Sequence, residues 1–193
     1  HENNLNYGDE LTELAQWEGL QSLPQECETV KLTEKYVRSI CTKLYQKKGG
    51  KYSQPDFFDK NFQIVVSDTP EINAAHIYNQ NTKDGRNILL VSKGLMLNVQ
   101  NEAQLAFVLA HELGHYQVNE TRGKDKNNLG VSGHEHEVQA DYLGFQSVLQ
   151  AGYNPDEAIK FFEMIQQSPA DVKQAFEEAN DVHGNTATRI ANI

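Results

Sequence analysis

Two histidines four residues apart bracket a glutamate in His111-Glu112-Leu113-Gly114-His115. On a helix, positions i and i+4 lie on one face, so both imidazoles can reach a single ion. Glu112 sits one position on, where its carboxylate can hold and deprotonate a water at that ion. The chemistry suited to this arrangement is metal-assisted hydrolysis, with a peptide bond as the usual target. The segment in front supplies the helix. Asn101 is a good N-cap with Gln104 three residues later as a capping-box partner, and Leu105 to Ala110 is apolar nearly all round. A helix buried on several sides that turns abruptly to His-Glu-x-x-His needs polar partners for those groups, and a shared cation is one.

A catalytic zinc keeps three protein ligands and leaves a position for water. Extension of the motif in the metzincin manner requires Gly at 118 and His at 121, where the chain has Val118 and Thr121. That class is excluded. The alternative, a carboxylate from a second helix, is offered by residues 134–144, in which Glu137 and Asp141 are four apart on one face. Glu137 is the expected third ligand. Asp141 is expected to accept the free ring N–H of a ligand histidine, which fixes its tautomer and raises its basicity. His134, Glu135 and His136 share the segment and read as the polar first turn of that helix, pointing elsewhere if Glu137 faces the metal.

With these residues in place the sequence resembles the metallopeptidase family of the CAAX prenyl protease, the HtpX-type membrane proteases and their soluble bacterial relatives. The resemblance spans residues 62–190. It rests on Ile72-Asn73-Ala74, a strand Asn87–Ser92, the His111–His115 motif and Glu137-Val-Gln-Ala-Asp141. It implies a gluzincin with one Zn2+ held by His111, His115 and Glu137, Glu112 as general base and Asp141 behind a ligand histidine. The family tends to close with His-Pro and a later Arg; here His183 is followed by Gly184, and Arg189 comes five residues further on. By resemblance His183 and Arg189 belong to the catalytic set. Either could hold the oxyanion of the tetrahedral intermediate. His183 could instead fill the open coordination position, or it could cap and pack while Arg189 pairs with a carboxylate. The resemblance further implies that Ile88 to Ser92 is an edge strand pairing with extended substrate through main-chain hydrogen bonds.

The chain has 193 residues, suited to one domain with a proper core. A net charge of −10 argues against nucleic acid or anionic lipid as the main partner. No apolar run approaches the roughly twenty residues needed to span a bilayer. The sequence opens at His1 without a charged, apolar-cored leader, and a removed signal fits a periplasmic or secreted protein. Cys27 and Cys41 are the two cysteines. Continuous helix from one to the other would separate their Cα atoms by about 21 Å, so a bridge requires the chain to turn back before the helix begins.

The elements expected around the site are a helix over 29–47 with Val30, Tyr36, Val37, Ile40 and Leu44 inward, strands at 62–67, 73–79 and 87–92, and helices at 134–151, 155–167 and 169–180. Asp84-Gly85 marks an antiparallel turn between the last two strands. Residues 119–133 form a polar, Gly-containing connection that could gate the cleft. Residues 1–25 read as an N-terminal extension and 26–193 as a single domain. The expected fold is α+β: a mostly helical zincin-like domain with a small antiparallel sheet. The expected function is a zinc metalloendopeptidase acting on unfolded or extended polypeptide, as in envelope-protein quality control. The competing reading is a zinc-containing, chaperone-like module that binds unfolded chains without cutting them.

Overall fold

The computed structural model describes residues 28–79, 82, 84–122 and 133–179. The expected extension over 1–25 and most of the expected gating loop lie outside these residues.

Helix α1 (Glu28–Tyr45) buries Val30, Val37, Ile40, Cys41, Leu44 and Tyr45 along one stripe. Glu28 in its first turn and Lys43 in its last complement the helix dipole. Tyr36, expected inward, is instead 40% exposed, since it lies off the stripe set by Val37 and Ile40. Cys41 carries a free thiol deep in the core, and burial pushes it up to about 12, so it is inert at neutral pH. A 3-10 turn (Gly50–Ser53) and helix α2 (Phe57–Asn61) follow. Their rings, with Tyr45 and Tyr116, build an aromatic cluster of edge and tilted contacts.

Strands β1 (Phe62–Ser67), β2 (Ala74–Ile77) and β3 (Asn87–Ser92) form one sheet in the order β1-β3-β2. The β2–β3 pair is antiparallel as expected, with Ile77 opposite Ile88. The sheet as a whole is mixed, because β1 runs parallel to β3 with Phe62 opposite Asn87. The strand expected at the edge, Ile88 to Ser92, is therefore the central one. Every residue of β3 is buried, whereas β2 has the half-buried pattern of an edge. The edge that packs against the helix carrying the histidines is β2.

Ser92 ties the start of that edge in place. Its hydroxyl donates to the Glu71 carbonyl at 2.6 Å, accepts from Asn73 N–H at 3.0 Å, and caps α3 (Lys93–Asn98) by accepting from Leu95 N–H at 3.0 Å.

Helix α4 (Glu102–Arg122) starts at the expected cap: the Asn101 side chain accepts from Gln104 N–H at 3.0 Å. The return bond from Gln104 goes to Gln100 N–H at 2.9 Å, one residue before the position a capping box would use. From Leu105 to Leu113 the helix is buried on most sides, and Tyr45 Oη donates to the Leu113 carbonyl at 3.1 Å. Helices α5 (Gly133–Gln150), α6 (Asp156–Gln167) and α7 (Ala170–Ala179) complete the described chain.

The α4–α5 contact decides the geometry of the site, and two glycines permit it. A Cβ on Gly114 would stand 2.6 Å from the Ala140 carbonyl oxygen, and one on Gly144 would stand 2.9 Å from His111 N. The two backbones thus touch on either side of the functional residues. No other residue type fits at these two places without pushing the helices apart.

Candidate metal centre

His111 and His115 project from the middle of α4, and Glu137 and Asp141 from the first half of α5. With Glu112 they form a buried polar cluster: His111 is 2% exposed, Glu112 3%, His115 7%, Glu137 8% and Asp141 4%. Burying five such groups is costly unless they satisfy one another or share an ion.

The distances fit an ion. His111 Nε2 and His115 Nε2 are 3.1 Å apart, and the two oxygens of Glu137 lie one on each, Oε2 at 3.3 Å from His111 Nε2 and Oε1 at 3.3 Å from His115 Nε2. Tetrahedral donors about 2.0–2.1 Å from zinc are separated from one another by about 3.3 Å, the spacing seen here. Among the described residues, His111, His115 and Glu137 form the one cluster of three side chains able to hold a metal. Two imidazoles and one carboxylate make a donor set used by catalytic zinc.

Asp141 explains why His111 presents a lone pair rather than a proton to that centre. Its Oδ1 lies 2.7 Å from His111 Nδ1 and can only accept, so Nδ1 carries the hydrogen and Nε2 is the acceptor. Glu112 Oε1 is 4.0 Å from His111 Nε2, beside the cluster and outside the ligand triangle.

Three residues near the centre stand outside the expected site set. His136 was placed on the polar first turn, pointing elsewhere. It instead lies against His115, Nδ1 to Nδ1 at 2.9 Å, with its Nε2 3.2 Å from Asn119 Oδ1. Its position immediately before Glu137 was the available signal. His76 and Tyr78 come from the β2 edge, their rings 4.6 Å apart. Burial draws His76 down to about 4, and its Nε2 donates to Asn87 Oδ1 at 2.9 Å. Burial also raises the Tyr78 phenol, and the Glu112 and Glu137 carboxylates raise it further, so it stays protonated. Of the remaining expectations, Glu135 is exposed, and His183 and Arg189 lie outside the described residues.

A small, mostly apolar cavity of water-molecule size lies beside His111 and Glu112, walled by Ile72, Ala74 of β2, Val108 of α4, Phe161 and Phe162 of α6, and Phe176 of α7. No described helix is long and apolar enough to cross a membrane.

No curated protein matches the chain. The model of Peptidase family M48 matches residues 31–132, more than half of it. That match takes in most of α1, the sheet and the histidines of α4, and it ends before Glu137 and Asp141, whose place at the centre comes from the structure. The α+β fold built around a helix bearing His111, Glu112 and His115 accordingly belongs to Peptidase family M48, a family of metallopeptidases.

Proposed function

We propose that the protein is a zinc-dependent endopeptidase in which His111, His115 and Glu137 are the metal ligands and Glu112 is the general base. The observation that carries this reading is the convergence of His111 Nε2 and His115 Nε2, 3.1 Å apart, on the Glu137 carboxylate, one oxygen 3.3 Å from each, with Glu112 alongside. Zinc bound there would supply a Lewis acid for the scissile carbonyl and for the attacking water.

The rest is work for the chain's own residues. Asp141 holds His111 in the ligand tautomer. Glu112 takes the proton of the attacking water and passes it to the departing amine, the two halves of general base and general acid catalysis. The substrate lies extended along β2, an edge of the sheet among the described residues, where main-chain hydrogen bonds tolerate varied side chains. Action on unfolded envelope proteins, in the periplasm or outside the cell, is proposed on the family resemblance alone.

The test is incubation of the zinc-loaded chain with casein, with and without a chelator. Chelator-sensitive fragments support the proposal. Suppression of aggregation without any cleavage would replace it with a binding module that uses the same sheet edge.

A further inference from the structure

The two histidines of the triangle are supported by different chemistry. His111 leans on a carboxylate, Asp141. His115 leans on another imidazole: its Nδ1 is 2.9 Å from Nδ1 of His136. The two ring planes are within 14° of parallel, with centroids 4.9 Å apart. Rings stacked face to face keep their heavy atoms about 3.5 Å apart. An approach of 2.9 Å between nearly parallel rings is thus an edge-to-edge hydrogen bond, not a stack. On its far side His136 meets Asn119, Nε2 to Oδ1 at 3.2 Å.

One proton arrangement satisfies this chain from end to end. An amide oxygen only accepts, so the Nε2 of His136 carries the hydrogen, and its Nδ1 is left with a lone pair. That lone pair accepts from His115 Nδ1–H, and His115 Nε2 keeps its own lone pair on the side of Glu137 and His111, 3.3 and 3.1 Å away, where a shared cation would take it. Asn119 lies on α4, one turn beyond His115, and His136 lies on α5 next to Glu137, so the relay is closed by the same helix pair that forms the triangle.

We infer that His136 is a positioning residue for the metal centre: oriented by Asn119, it fixes the tautomer and ring angle of His115 as Asp141 does for His111. This rests on the reading of His115 as a ligand. It also explains why a histidine stands on a turn that could otherwise be any polar residue. A neutral acceptor there completes the support of the second ligand without adding a third carboxylate beside Glu137 and Asp141.

The experiment measures zinc affinity of the full chain by competition with a chromophoric chelator. His136→Leu keeps apolar bulk but offers no acceptor, and zinc binding should weaken about 10- to 100-fold. His136→Asn places an amide oxygen near the position of the ring Nδ1 and should recover most of that loss. If His136 only fills space, leucine will match or exceed asparagine, which overturns the proposal. A second readout needs no variant: long-range 1H–15N spectra of the zinc-loaded wild type should show His136 protonated at Nε2 alone. A proton on its Nδ1 overturns the relay. His111→Ala separates the two levels of the argument. Zinc lost in that variant but unchanged in His136→Leu sinks only the relay, whereas zinc retained in both sinks the ligand set itself.

Discussion

Asp141 Oδ1 meets His111 Nδ1 at 2.7 Å, a contact between the second helix of the site and the first histidine of the motif. Both groups are nearly sealed from solvent, so the bond acts in a medium where charge matters more than in water. It sets the direction of the His111 lone pair and increases its donor strength.

Asp141→Asn tests that role. The amide oxygen still accepts from Nδ1–H, but the negative charge is gone. Zinc affinity should fall about 10- to 100-fold, read by chelator competition, while cleavage at saturating zinc falls less. Unaltered affinity would show that the carboxylate is a passive neighbour.

Glu112→Gln addresses the base. The substitution preserves size in a buried position and leaves the three ligands untouched, so zinc stoichiometry should stay at one per chain. Casein cleavage should drop by about 10²- to 10⁴-fold, the range typical of a lost general base. Turnover within a few-fold of wild type would reassign the proton transfer to another group.

The parts of this site that were legible in sequence are those fixed by the pitch of one helix. His111 and His115, and Glu137 and Asp141, are each four apart, and that spacing dictates a shared face whatever the tertiary fold. His136 was misplaced because the facing argument treated α5 as having one inward direction. Neighbouring residues are about 100° apart around a helix. Where two backbones touch, as at Gly114 and Ala140, residues on either flank of the inward direction still reach the partner helix. The strand order was missed for a different reason. Ile88-Leu89-Leu90-Val91 is a continuous apolar run, the mark of a central strand, while Ala75 and His76 interrupt β2 in the manner of an edge. The edge role of Ile88 to Ser92 rests on the family resemblance, which that local signal contradicts. The parallel β1–β3 pairing had no local cue, since it joins segments about 25 residues apart across an intervening strand.

The glycines between α4 and α5 make the site sensitive to a single methyl group. In Gly144→Ala the new Cβ would lie 2.9 Å from His111 N and 3.0 Å from Ala110 C, both backbone atoms that cannot swing aside. The helices must separate, which should cost about 1–3 kcal/mol of stability. The same shift moves Glu137 and Asp141 away from the histidines, so zinc should bind more weakly as well. Denaturant midpoints and chelator competition measure the two effects. A variant with normal stability and normal zinc affinity would contradict the backbone contact.

His76 gives the protein a pH dependence of definite sign. Its Nε2 donates to Asn87, and its Nδ1 is buried with no hydrogen-bond partner among the described residues, so a second proton would sit unsolvated in the interior. Burial is the main cause that lowers it from 6.5 to about 4; nearby His115 lowers it too, while Asn87 and Glu112 act in the opposite direction. Between those two values the unfolded chain takes up a proton that the folded chain refuses. The contribution is therefore intact above about pH 6.5 and is lost as pH falls toward 4, amounting to about 3 kcal/mol when complete. His76→Leu removes the linkage without stranding its partner, because Asn87 Oδ1 still accepts from Asn79 N–H at 3.2 Å. In zinc-free protein, the drop in unfolding free energy from pH 7 to pH 4.5 should be smaller in the variant by about 2 kcal/mol. Carboxylates titrating in the same range are common to both proteins and cancel in that difference. Parallel stability curves would mean that His76 takes up its second proton in the folded state as readily as in the unfolded one.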